Sequence, residues 1–195
     1  MDVLLVTLFS YLSGSIPFGL ILTKLFSGQD VRKIGSGNIG ATNVLRTGNK
    51  FLASLTLILD ILKGYLPVVL TQQYFPELIQ FSCLLAFLGH IFPIWLKFNG
   101  GKGVATFLGV MLAINWPSGS LCCLTWLVVA QLLRYSSVAA LVAALAGPGY
   151  AYYFGNWQIM ELAAFMTLLV FIRHHQNIRR LIRGEEPKIG TKEST

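Results

Sequence analysis

Seven apolar stretches, at about 3–26, 51–74, 78–98, 103–116, 119–133, 137–155 and 157–172, take up most of this 195-residue chain. A helix needs about 20 apolar residues to cross a bilayer, and the first three stretches meet that length outright. Seven such helices use roughly 140 residues and leave about 55 for loops and a tail. No room remains for a separate soluble domain, so residues 1–195 read as one membrane-embedded unit with its chemistry in loops or at helix ends. The predicted fold is an all-α integral membrane bundle. Only 12% of the residues are charged, against about 25% in soluble domains. The N-terminus opens Met1-Asp2 without a basic residue, and its apolar stretch exceeds a signal-peptide core, so it reads as a first span.

The 15 basic residues against 8 acidic ones leave a net charge of +7, and their placement sets an orientation. Lys24, Arg32, Lys33, Arg46 and Lys50 surround the first loop, Lys97 and Lys102 flank the third, and Arg134 lies in the fifth. Arg173, Arg179, Arg180, Arg183, Lys188 and Lys192 occupy the tail, and only Lys63 falls in the middle of a span, Lys24 and Lys97 lying at the ends of theirs. The alternate loops, around 72–77, 115–118 and 155–156, contain none. The positive-inside rule puts the N-terminus outside and the C-terminus in the cytoplasm, as an odd number of spans requires. A nucleic-acid reader would not need this much apolar surface. There is no internal repeat of the kind that duplicated transporters carry.

Cys83, Cys122 and Cys123 lie inside apolar stretches and read as small fillers, with no disulfide framework or zinc site. The aspartates, Asp2, Asp30 and Asp60, are far apart, which disfavours metal catalysis. No cofactor is called for.

The predicted chemistry lies in loops of about 27–50, 97–104 and 134–137 and in the tail, 173–195. In the first loop Gly35, Gly37 and Gly40 satisfy G-x-G-x-x-G without the strand that a dinucleotide site requires. Glycines still let backbone N–H groups converge on an oxyanion. Ser36, Asn38, Thr42 and Asn43 add donors, and Arg46 adds a planar fork suited to phosphate. The alternative is a turn-rich linker, which would need neither the arginine nor so many donors. In the third loop Asn99-Gly100-Gly101-Lys102-Gly103 leads into a helix N-terminus, either an anion site or a topology-setting turn. His90 upstream reads as a packed helix residue. In the fifth loop Ser136 and Ser137 can cap the following helix. At the end of the last span His174 and Asn177, spaced i, i+3, share a helix face. The pair is either part of a basic lipid anchor or a general base with an orienting amide. Four polar segments on one side of the membrane point to a charged cytosolic substrate handled beside a lipid, with phosphate groups in the anion cradles.

Ser13 to Gly19, Gly35 to Arg46, Gly89 to Gly103 and His174 to Lys188 together resemble the bacterial acyl-phosphate:glycerol-3-phosphate acyltransferases (the PlsY family), over nearly the whole chain. The resemblance implies a seven-helix enzyme of the bacterial inner membrane with a cytosolic active site. It implies transfer of a fatty acyl group from acyl phosphate to the 1-position of glycerol 3-phosphate. The products would be lysophosphatidic acid, an early phospholipid precursor, and phosphate. The resemblance further implies that neither acyl-CoA nor acyl carrier protein is used directly, and that a soluble partner acyltransferase makes the acyl phosphate. By the same resemblance Ser36, Arg46, His174 and Asn177 are catalytic. Gly37, Asn38, Gly40, Thr42, Asn43, Lys102 and Ser137 bind substrate phosphate, and Glu185 and Glu186 belong to the closing motif. Attack by the glycerol 3-phosphate hydroxyl is expected to be direct, because phosphate is already a good leaving group. The proton goes either to His174, steered by Asn177, or to the substrate's own phosphate. The His-x-x-x-x-Asp motif of acyl-CoA-type enzymes is absent, since Trp95 and Arg179 stand five residues after His90 and His174. The rival reading is a small-anion transporter, supported by Asp60 and Lys63 inside the second span. At i, i+3 these two can instead neutralise each other.

Overall fold

The structure, a computed structural model, describes residues 1–190, and Lys192 of the tail lies outside them. Among the described residues it is helical without strands. The first apolar stretch is two helices, α1 (Asp2–Ser15) and α2 (Phe18–Ser27), bent by 44° at Ile16-Pro17. Proline has no N–H to continue the ladder, and it drives the residue before it out of the helical region. Ile16 is accordingly extended, with φ −64° and ψ 118°. After a loop carrying the short α3 (Ala41–Leu45) come α4 (Lys50–Tyr74), α5 (Ile79–Ile91), α6 (Val104–Ile114) and α7 (Trp116–Leu133). The chain closes with α8 (Ser136–Phe154), α9 (Trp157–Arg173) and α10 (His175–Ile182).

Asparagines start three of these helices. The side-chain oxygens of Asn49, Asn115 and Asn156 accept from the N–H groups of Leu52, Ser118 and Ile159 at 3.0, 3.1 and 3.0 Å. Each satisfies a donor that the first helical turn leaves open.

Every predicted apolar stretch is helical, but their lengths differ. Residues 50–74, 76–96, 116–133 and 136–154 are long and apolar enough to cross a membrane, and the bent α1–α2 pair makes a fifth candidate. α6 has 11 residues, about 16 Å at 1.5 Å per residue. That is about half of a ~30 Å hydrocarbon core. By itself α6 is therefore too short to cross a membrane as the longer helices can.

Small residues bring the helices together, as they must where lipid gives no hydrophobic drive for association. α1 and α5 run parallel, with Ser10 and Ser82 hydroxyls 2.8 Å apart. A Cβ on Gly14 would run into the Ala86 carbonyl, and one on Gly89 into that of Tyr11. Tyr11 donates to the Phe92 carbonyl at 2.7 Å and Trp95 to the Ser15 hydroxyl at 2.8 Å. Across the bundle Phe87, Phe107, Met111, Met166 and Val170 form one buried core. Leu20, Val31, Ile39, Val44 and Leu52 form a second, beneath the first loop.

Gly14→Val is expected to destabilise the detergent-solubilised protein by about 1–3 kcal/mol through overpacking at α1–α5. Gly149→Ala, where a Cβ meets nothing within 4 Å, is expected to leave stability unchanged or raise it by up to about 1 kcal/mol. Thermal unfolding of both variants checks this, and equal midpoints would contradict the close α1–α5 approach.

Candidate active site

The first loop is organised by one amide. Asn43 is 1% exposed, and its Nδ2 lies 2.9, 2.9 and 2.8 Å from the carbonyls of Val31, Ile34 and Asn38. Its Oδ1 accepts from the Ser36 N–H and hydroxyl at 3.2 and 3.3 Å and from Arg46 Nη1 at 3.4 Å. Asn43 therefore shapes the loop and aims Ser36 and Arg46, its polar atoms being engaged within it. Gly35 sits at φ +50°, and a Cβ there would lie 2.6 Å from Arg46 Nη1. Only a residue without a Cβ lets the guanidinium lie across the turn. Gly37 is also left-handed, at φ +69°, and Gly40 caps α3 in extended conformation.

The other polar segments meet this loop and one another. Thr42 and Ser136 hydroxyls are 2.9 Å apart, joining the first loop to the start of α8. Ile189 donates to the Arg134 carbonyl at 2.6 Å, and Arg134 Nη2 returns a bond to Ile189 at 3.3 Å. The tail is thereby strapped to the fifth loop. Lys102 Nζ donates to Asn177 Oδ1 at 2.5 Å, and Asn177 Nδ2 donates to Glu186 Oε1 at 2.6 Å. Arg180 Nε closes on Glu186 Oε2 at 2.7 Å. Arg173 holds the carbonyls of Gly101 and Gly100 at 3.2 and 2.8 Å.

Burial lowers the Lys102 ammonium to about 8; Glu186 opposes that shift, while Arg180, Arg46 and Arg173 add to it. Three arginines are thus near enough to press on one lysine. Burial alone would raise the Glu186 carboxyl, but its hydrogen bonds from Asn177 and Arg180 hold it below the ordinary glutamate value. Ser137 is 5% exposed. Its hydroxyl faces Glu186, yet its Oγ makes no well-formed hydrogen bond among the described residues.

His174, 2% exposed, places Nδ1 2.8 Å from the Val170 carbonyl. A carbonyl can only accept, so Nδ1 carries the proton and Nε2 presents a lone pair. Burial pushes this imidazole down to about 4, with Lys102 and Arg173 adding to it and the Val170 bond opposing. His174 is therefore neutral near pH 7. The expected steering by Asn177 is replaced by that of Val170, because Asn177 turns its amide to Lys102 and Glu186.

Asp60 and Lys63 pair at 2.7 Å, and Lys63 also donates 2.7 Å to the Ile16 carbonyl at the α1–α2 break. The lysine expected to support transport is thus held by two internal partners. No cluster of three metal-ligating side chains occurs among the described residues. In the sequence Arg173 and Arg180 stand out only as basic tail residues that set topology, and Glu186 only as part of the closing motif. The structure puts all three into the site, and spacing alone does not distinguish them from the other tail residues.

A family model described as glycerol-3-phosphate acyltransferase matches residues 4–184. A glycerol-3-phosphate acyltransferase of Rhodopseudomonas palustris (strain HaA2) is 53% identical over 186 residues, covering 95% of this chain and 94% of the relative. One from Mesorhizobium japonicum is 53% identical over 189 residues, 97% of each chain. Crystal structures of PlsY (YgiH), described as an integral membrane glycerol 3-phosphate acyltransferase, share the fold. Its glycerol 3-phosphate form is 37% identical with a TM-score of 0.93, covering 98% of this chain and 97% of the other. Its lysophosphatidic acid form is 36% identical with a TM-score of 0.90 at the same coverage.

Asn43→Ala leaves the Val31, Ile34 and Asn38 carbonyls without their partner, a local cost of about 2–3 kcal/mol. Trypsin cleavage after Arg32 and Lys33 is expected to quicken by at least about tenfold in native conditions. An unchanged cleavage rate would contradict the organising role of Asn43.

Proposed function

The chain belongs to the glycerol-3-phosphate acyltransferase family and is a multi-pass membrane acyltransferase, and from that premise we propose its donor, its orientation and the roles of its residues. It moves a fatty acyl group from acyl phosphate to the 1-hydroxyl of glycerol 3-phosphate, giving 1-acyl-glycerol 3-phosphate and phosphate. The two forms of the solved relative, with glycerol 3-phosphate and with lysophosphatidic acid, support the same acceptor and product here. Acyl-CoA and acyl carrier protein are not used directly, and a soluble acyltransferase supplies the donor. Seven membrane passages, counting α6 and α9, run from an outer N-terminus to a cytoplasmic tail in the bacterial inner membrane. Residues 1–195 act as one catalytic unit.

The observation that carries this reading is the meeting of polar segments around Lys102: Asn177 and Glu186 link its ammonium to Arg180, and Arg173 holds the carbonyls of Gly100 and Gly101 just before it, while the charge of Arg46 also acts on it. Such a cluster of cations at a half-buried glycine turn suits a phosphate dianion. Arg46, Lys102 and the N–H groups of Asn38 and Gly40 hold the substrate phosphates, with Ser36 and Thr42 as hydroxyl donors, whereas the expected phosphate contact of Gly37 gives way to a structural one, because its N–H is spent on the Ile34 carbonyl at 2.9 Å. Asn43 and Asn177 aim Arg46 and Lys102. Ser137 Oγ donates to the oxyanion that develops on the acyl carbonyl. The acyl carbonyl reaches these groups while its chain stays among lipid and helices.

The acceptor hydroxyl oxygen attacks the acyl carbon, the carbon–oxygen bond to phosphate breaks, and the hydroxyl proton leaves with a phosphate. His174 Nε2 accepts a hydrogen bond from that hydroxyl and orients it. A base held at about 4 drives proton abstraction weakly, so the phosphate takes the proton.

Purified protein given acyl phosphate and glycerol 3-phosphate is expected to form lysophosphatidic acid, and acyl-CoA in place of the donor to give none. Product from acyl-CoA would overturn the donor assignment. Lys102 binds phosphate as an ammonium, so kcat/KM for glycerol 3-phosphate is expected to fall as pH rises through about 8. Lys102→Arg is expected to keep that limb flat, since a guanidinium stays charged. His174→Asn is expected to lower kcat by about 10–100-fold with the shape of the pH profile kept, whereas loss of an acid limb would place the proton on His174.

A further inference from the structure

One turn of α4, well inside its span, carries charges that the proposed reaction does not use. Asp60 and Lys63 side chains are 3% and 2% exposed and lie 2.7 Å apart. His90, from α5, brings Nδ1 to 4.0 Å from the same Asp60 oxygen. A buried ion pair stabilises a fold little more than a well-packed apolar pair of the same volume. What these groups hold in place is therefore the more informative question.

Their side chains reach the α1–α2 break and the Lys102 loop, and the backbone of the same α4 turn meets α6. Lys63 donates to the Ile16 carbonyl, 2.7 Å away, and so ties α4 to the α1–α2 break. The Asp60 carbonyl accepts from Thr106 Oγ1 at 3.1 Å, in the first turn of α6. Gly64 allows that turn to sit against α4, since a Cβ there would lie 2.6 Å from the Thr106 carbonyl. His90 meets the loop directly: its ring lies against Gly101 so closely that any Cβ on Gly101 would strike Nε2. The N–H groups of Gly100 and Gly101 donate to the Ile91 and His90 carbonyls, both at 3.1 Å. Lys102 is the next residue, and Thr106 stands one helical turn beyond it.

We propose that Asp60, Lys63 and His90 form a positioning cluster that sets the depth and direction of the 99–103 loop, and so aims Lys102 at the substrate phosphate. These residues act through the loop and do not touch substrate. The inference rests on the reading of Lys102 as a phosphate-binding group.

The test uses the full chain purified in detergent, with acyl phosphate and glycerol 3-phosphate as substrates. The paired substitution Asp60→Asn/Lys63→Met removes both charges together and leaves no unpaired ion buried. It is expected to raise KM for glycerol 3-phosphate by about tenfold, with KM for acyl phosphate unchanged and kcat within about twofold. Combined with Lys102→Ala, it is expected to add nothing to the rise that Lys102→Ala causes alone, as residues acting through one group do. An unchanged KM, a rise shared with acyl phosphate, or an effect independent of Lys102 would overturn the proposal. If the paired variant does not yield a monodisperse protein, His90→Gln removes only the imidazole that lies against Gly101, and an about threefold rise in the same KM is expected. No rise in His90→Gln would overturn the proposal equally. Lys102→Ala alone separates the two layers: if it leaves KM for glycerol 3-phosphate unchanged, the phosphate-site reading fails. If it raises KM and the cluster variants do not, the positioning role alone fails.

Discussion

A half-buried ammonium is tolerable only with an anion or strong acceptor beside it, and Lys102 receives both from the far end of the chain. Asn177 takes the ammonium's hydrogen bond and hands the charge on to Glu186, which Arg180 anchors. Leaving such a charge without partners would cost several kcal/mol. The tail is therefore drawn back over the loops, and its bonds to Arg134 keep it there. One electrostatic requirement thereby brings the third loop, the fifth loop, α10 and the tail to a common point, and Thr42–Ser136 adds the first loop.

The membrane makes this possible by removing other choices. In hydrocarbon each backbone polar group must find an internal partner, so irregular backbone is confined to places where side chains satisfy it. The α1–α2 break is tolerated because Lys63 takes the Ile16 carbonyl. The Gly100–Gly101 turn is tolerated because Arg173 and α5 satisfy it from both sides. The apolar packing of small residues supplies rigidity beneath it.

Much of this was legible in the amino-acid order, because hydropathy and charge placement are strong, additive signals. All seven apolar stretches are helical, and the four polar segments singled out by their glycines, arginine, lysine and histidine do converge. What escaped notice depends on tertiary direction. Pro17 is apolar and leaves the hydropathy of 3–26 unbroken, although it breaks the helix there. Asn43 looked like one more phosphate donor, whereas its hydrogen bonds turn inward and build the loop. Asn177 was placed beside His174 by helical spacing, yet the end of α9 at His174 breaks that register and swings the amide to Lys102. Glu186, Arg173 and Arg180 had no local pattern to mark them, since their partners are brought near only by the fold.

The central claim is that these segments build one phosphate site. Calorimetric titration of the purified chain with glycerol 3-phosphate tests it most directly. The account predicts one molecule bound per chain, with Arg46→Ala and Lys102→Ala each weakening binding by at least about tenfold, and the double variant losing less than the product of the two. Two independent equal sites, or an affinity indifferent to Lys102, would contradict it.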